Sequence, residues 1–134
     1  MRDSDVKGLA CRGVRGAICV GENEKGAIIE ASARLLRLLL TANDIEAEDL
    51  ASIFFTATPD LDAAFPAAGA ADMGLDDVAL LCAQEIGAEA PIARCIRILM
   101  HWNTSKKATE IKHVYIGEAA LLRPERALSP EEEA

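Results

Sequence analysis

Four charged residues stand where an otherwise apolar sequence has least reason to put them. Arg97 is flanked by Ile96 and Ile98 and followed by Leu99 and Met100. On the two-residue period of a strand it shares a face with Cys95, Leu99 and His101, opposite Ile96, Ile98 and Met100. Glu85 ends a second apolar run, after Leu81, Cys82, Ala83 and Gln84, and Arg12 and Arg15 interrupt a third in Arg12-Gly13-Val14-Arg15-Gly16. An unpaired buried charge costs several kcal/mol, so each of these groups reaches the sheet edge, is neutralised inside the protein or is aimed at a ligand. An ion pair between Glu85 and Arg97 is the plain structural account. The chemical account is that both face a pocket and grip different polar groups of one ligand.

The rest of the reactive inventory narrows the chemistry. Tyr115, the single tyrosine, lies on a strand beside His113 and Glu118, where a tyrosine is ordinarily core with its hydroxyl satisfied; Phe65 and Cys82 read as core in the same way. His101 and His113 have no partners at metal-ligand spacing. Cys11, Cys19, Cys82 and Cys95 lack the C-x-x-C spacing of a zinc site and read as reduced, mostly buried thiols. The sequence has no nucleophile elbow, no glycine-rich phosphate loop and no H-E-x-x-H. Arginines and one glutamate in apolar strands suit anion binding, or a reaction that needs charge placement without proton transfer.

The elements that must position these groups follow from periodicity. Leu9–Val20 reads as a strand. From Asn23, a candidate N-cap, to about Asn43, the residues Ile28, Leu35, Leu36, Leu39 and Leu40 recur at helical spacing and predict an amphipathic helix. Ala51–Thr58 is β-branched and aromatic and stops at the turn signal Pro59-Asp60. The alanine-rich Leu61–Met73 reads as a short helix closed by Gly74. Val78–Glu85 is a second buried strand, Ile92–Trp102 a third and His113–Leu122 a fourth, with another short helix starting near Thr104 or Ser105. Strands mixed with one long and one or two short helices predict an α+β or α/β domain whose sheet is covered by helices. Residues 1–8 read as a loose extension, 9–123 as one domain, and 124–134, with Glu131, Glu132 and Glu133, as an acidic flexible tail.

Composition sets the outer limits. With 134 residues, 51% of them hydrophobic, the chain can bury a real core. No run is long and apolar enough for a membrane span or a secretory signal, so a cytoplasmic protein is expected. The 14 basic against 22 acidic residues give a net charge of −8, which leaves nothing to drive the chain onto nucleic acid. A field of that sign repels an anionic ligand at long range. Attraction must come from a few arginines or lysines placed locally.

Five segments in register carry a family likeness: Arg12-Gly13-Val14-Arg15-Gly16-Ala17; Ala57-Thr58-Pro59-Asp60-Leu61 with Phe65-Pro66-Ala67; Cys82-Ala83-Gln84-Glu85; Cys95-Ile96-Arg97; and His113-Val114-Tyr115 followed by Leu122-Arg123-Pro124. Over roughly Cys11 to Arg126 the chain resembles the AroH class of chorismate mutases. The resemblance implies a homotrimeric pseudo-α/β barrel with a mixed sheet and with active sites in clefts between adjacent subunits. It implies a cofactor-free and metal-free Claisen rearrangement of chorismate to prephenate. By motif, Arg97 would donate to the ether oxygen and one carboxylate, Glu85 would hold the substrate hydroxyl, and Arg15 with Tyr115 would bind a carboxylate. Phe65, Cys82 and Leu122 would shape the pocket, with Arg123 helping from the tail.

The chain departs from that family's pattern after Phe65-Pro66-Ala67, where a lysine and an arginine near the pocket mouth are replaced by Ala68 and Ala71. The expected result is weakened capture, unless Arg123, Arg126 or a lysine near Lys106 substitutes. Two rival readings are an imine deaminase on a similar trimeric fold and a trimeric chorismate or prephenate sensor without turnover. The first does not require a Gln-Glu pair ending a strand opposite Cys-Ile-Arg. Retention of Arg15, Glu85, Arg97 and Tyr115 together speaks against the second.

Overall fold

A computed structural model describes residues 8–88 and 92–122. Five strands form one mixed sheet in the order β3-β2-β4-β1-β5. They are β1 (Ala10–Cys19), β2 (Leu50–Ala57), β3 (Ala79–Gln84), β4 (Cys95–Thr104) and β5 (Val114–Ile116). β4 lies at the centre, antiparallel to both β1 and β2, while β3 and β5 close the two edges as parallel neighbours of β2 and β1. The single α-helix among the described residues, α1 (Lys25–Asn43), covers one face. This is the α+β arrangement expected from the pattern, with the mixed sheet that the resemblance implies.

Burial alternates as the strands require. Val14 and Ile18 of β1, Ile53 and Phe55 of β2, and Ile96, Ile98 and Met100 of β4 form one core with Ile28, Leu35, Leu36 and Leu39 of α1. The helix is started by Glu24, whose carboxylate accepts the backbone N–H groups of Gly26 and Ala27 at 2.9 Å each. The expected N-cap Asn23 is one residue too early. Its amide instead donates to Asp62 at 2.7 Å while its carbonyl takes the N–H groups of Asp62 and Ala63. At the other end Asp44 adopts the left-handed conformation, φ 53°, and the N–H of Ile45 reaches back to the carbonyl of Leu40. Buried Asn43 donates to the carbonyls of Leu39 and Lys112 and accepts the N–H of Lys112. It thereby ties the helix to the segment that leads into β5.

Two glycines allow close approaches that set the geometry around the sheet. A Cβ on Gly16 would lie 2.4 Å from the carbonyl oxygen of Val114, so β5 can dock beside β1 only because residue 16 has no side chain. A Cβ on Gly69 would lie 2.7 Å from the backbone nitrogen of Ala33. The turn at Pro66–Ala70 can therefore sit directly on α1, where the Ser32 hydroxyl donates to the Pro66 carbonyl at 2.6 Å.

Several boundaries differ from the sequence expectation. The helix expected over Leu61–Met73 is a single 3₁₀ turn, Pro66–Ala70, because this alanine-rich stretch has a proline inside it and is pinned to α1 through Ser32 and Gly69. The helix expected near Thr104 is the 3₁₀ turn Ala108–Glu110, and β4 continues to Thr104 because Ala10 pairs with it. β5 keeps only three residues before the turn Gly117–Leu121, where Gly117 takes φ 63°. β3 is mostly exposed rather than buried, since it pairs on one side only. Of the four thiols, all free, Cys95 alone is fully buried; Cys11 is exposed and Cys19 and Cys82 are intermediate.

Candidate active site

The face of the sheet turned away from α1 collects the charged residues. Register sets Ala83, Thr56, Arg97, Ala17 and Tyr115 in one row across all five strands. The next row holds Leu81, Phe54, Leu99 and Arg15. Arg97 thus lies on the face with Cys95, Leu99 and His101, as its spacing predicts, and between two small neighbours that leave its guanidinium uncrowded. Arg15, Phe54, Thr56, Arg97 and Tyr115 line a cavity of about 360 Å³, within the ordinary size range of a small-molecule site.

Glu85 reaches the same place from the end of β3. Its backbone N–H bonds to the carbonyl of Ala57 at 2.8 Å, one residue beyond the last pair of the ladder. Its carboxylate accepts the Thr56 hydroxyl at 2.6 Å and stands 3.4 Å from Arg97 Nε. Nothing in the sequence singles out Thr56, which joins the site through its register with Arg97. The Glu85–Arg97 ion pair exists, and it is incomplete. Arg97 Nε is buried without a hydrogen bond, while 43% of the Arg97 side chain remains exposed. The plain and the chemical accounts therefore hold together, because the carboxylate holds one edge of the guanidinium and leaves the rest open.

The other two arginines separate. Arg12 Nε donates to the carbonyl of Lys106 at 3.2 Å, a backbone partner among the described residues. Arg15 is exposed on the cavity rim, with its own backbone N–H held by His113 Nδ1 at 3.1 Å. Tyr115 belongs to a small second core with Ala17, Cys95 and Ala119, against which Cys19 and Leu122 pack. Cys19 and Cys95 are directly opposed across β1 and β4. Burial, reinforced by the neighbouring Cys19, pushes the Cys95 thiol up to about 12. The start of β4 is fixed by Thr58, whose hydroxyl oxygen accepts the N–H of Cys95 at 2.9 Å and donates to Asp60. That hydroxyl holds the Asp60 carboxyl below its usual range.

Phe65 and Cys82 lie elsewhere. Cys82 pairs with Phe55, so its side chain points to the helix side of the sheet, and its Sγ accepts the N–H of Ala67 at 3.3 Å. With Lys25, Asp62, Ala68 and Gln84 these two residues line a second cavity, about 530 Å³, between β3 and the turn that sits on α1. Phe65 projects from it 77% exposed. The expected site residues thus fall into two groups on opposite sides of one sheet. Arg15, Glu85, Arg97, Tyr115 and Leu122 make one; Phe65 and Cys82 make the other. Arg123 and Arg126 lie outside the described residues. No cluster of three or more metal-ligating side chains occurs among the described residues, and no described helix is long and apolar enough to cross a membrane.

Comparison with known proteins agrees with this geometry. The family model for chorismate mutase type I matches residues 11–126. Two curated relatives, both named chorismate mutase AroH, are similar over most of their length. The one from Thermus thermophilus is 44% identical over 85% of this chain and 94% of its own, and that from Bacillus subtilis is 32% identical over 90% and 96%. A solved chorismate mutase from Clostridium thermocellum superposes with a TM-score of 0.79 at 42% identity, covering 81% of this chain and 97% of its own. With a fold, a row of site residues and full-length relatives in agreement, the chain belongs to the type I chorismate mutase family.

Proposed function

We propose that this protein converts chorismate to prephenate in the cytoplasm, and that it does so as a trimer. The observation that carries the reading is the open guanidinium of Arg97, held on one edge by Glu85 and set in one row with Thr56 and Tyr115. The rearrangement breaks an ether C–O bond as a C–C bond forms within the same molecule, so no group leaves and no proton need move. What a protein can contribute is selection of the folded conformer and stabilisation of negative charge growing on the ether oxygen. Arg97 is the donor to that oxygen and to one carboxylate. Glu85 keeps Arg97 in place and takes the substrate hydroxyl. Arg15 from the rim and Tyr115 from the cavity wall hold the carboxylate, and Leu122 packs behind Tyr115.

Assembly supplies the remaining walls. Phe65 and Cys82 lie across the sheet from Arg97 in the same chain, so one ligand touches both groups only if a second copy brings its Phe65 cavity over the Arg97 face of the first. Phe54, Leu81 and Leu99, 36%, 59% and 37% exposed on the open face, provide the apolar area such packing buries. The free thiols fit a reducing compartment. The decisive experiment incubates chelator-treated protein with chorismate and follows substrate loss and prephenate formation. Turnover without added metal or cofactor supports the reading; a folded protein that leaves chorismate intact sinks it.

A further inference from the structure

We infer that Lys25, the first residue of α1, is the cation that receives the substrate's second carboxylate. This rests on the chorismate mutase reading above. Chorismate carries two carboxylates, and Arg15, Arg97 and Tyr115 account for one of them together with the ether oxygen. The other needs a positive group at the far wall of the completed site, which is the cavity of Phe65 and Cys82. Lys25 is the cation that lines that cavity, and Ala68 lines it without charge.

The other described cations considered for this role are engaged elsewhere. Lys106 lies over the Trp102 ring, 6.0 Å from its centroid, and its carbonyl is taken by Arg12. Arg94 Nε donates to the carbonyl of Val20 at 3.0 Å. Lys25 itself is exposed and forms no ion pair among the described residues. One carboxylate, Asp62, lines the same cavity, where one of its oxygens accepts the Asn23 amide.

Its position in the helix adds an independent argument. The first turn of a helix carries partial positive charge, favours acidic side chains and disfavours a lysine. Within the first turn of α1 there is no acidic residue and there is Lys25 instead, next to the capping carboxylate of Glu24. For helix stability this is the wrong sign; for an anion approaching the cavity it is the right one.

Steady-state kinetics with chorismate test the assignment. Lys25→Ala is expected to raise KM about three- to tenfold, the range of a single partly exposed charge-assisted contact, with kcat within about twofold of wild type. Lys25→Arg keeps KM near wild type, and Ala68→Lys added to Lys25→Ala lowers it again. Lys25→Glu raises both KM and the melting temperature, a pairing that a merely structural lysine does not produce. A KM for Lys25→Ala within experimental error of wild type, or a loss in kcat alone, overturns the assignment. Absence of turnover by the wild type instead overturns the mutase reading. Calorimetry of wild type and Lys25→Ala with chorismate then decides the role of Lys25 from Kd.

Discussion

On the side of the sheet that faces α1, Val14, Phe55, Ile98 and Met100 interlock with four helix residues and are themselves fully buried. On the other side the alternate residues of the same strands are Arg15, Phe54, Thr56, Arg97 and Leu99, and no element of the described chain covers them. The centre of one face is filled by its own chain, whereas the other face leaves its central residues open around a cavity. The comparison teaches that stability and function are written into the same three strands on alternating residues. A one-residue slip in register would exchange them.

Substitutions that confine their effect to one face test this division. Phe55→Ala, on the covered face, is expected to cost about 3–5 kcal/mol of stability in urea titration, and a cost under about 1 kcal/mol would show that face to be loosely packed. Arg97→Ala, on the open face, is expected to lower kcat by about 10² to 10³ while leaving the unfolding curve in place. Activity within about tenfold of wild type would remove Arg97 from the ether oxygen. Gly16→Ala should cost about 1–3 kcal/mol by forcing β5 away from β1, read as an earlier thermal transition.

The second core, at one end of the Arg97 face, has a pH signature. The folded Cys95 thiol ionises near 12 against an ordinary value of 9.0. Its folded pKa is raised, so its contribution to stability is complete below about 9 and is lost as pH rises toward about 12. Cys95→Ala should flatten that alkaline decline, and an unchanged slope would count against it. The smallest effect on chain stability, within about 0.5 kcal/mol, is expected for Leu99→Ser. Under the proposed trimer, light scattering should nevertheless show a lower mass than wild type, and an unaltered mass would place the proposed contact elsewhere.

Legibility from sequence followed the same division. The covered face was readable because helical and strand periodicities state burial directly, as for Leu35, Leu36 and Leu39 or for Ile96, Ile98 and Met100. Arg97 and Glu85 were readable because a charge inside an apolar run has few explanations. Thr56 was not, since a threonine in a strand is ordinary until its register partner is known to be Arg97. Asn23 and Glu24 compete for the same cap, and only the contact with Asp62 decides between them. The short turns at Pro66–Ala70 and Ala108–Glu110 were overread as helices because alanine content signals propensity while tertiary packing sets length. Lys25 was invisible for a further reason: nothing in sequence brings the start of α1 next to Phe65 and Cys82.

The strand order has one more consequence, which concerns how the protein is made. Arg15 sits in the first strand, and its neighbour across the sheet is Leu99 of the fourth, roughly 80 residues later in the chain. At a synthesis rate of about 5–20 residues per second, β1 leaves the ribosome and waits on the order of 4–16 seconds for the strand that completes it. Through that interval α1 can form, yet the row that contains Arg97 and Tyr115 does not exist. Catalytic competence therefore arrives only at the end of translation, and a chain released early is an inactive fragment with an unpaired strand edge.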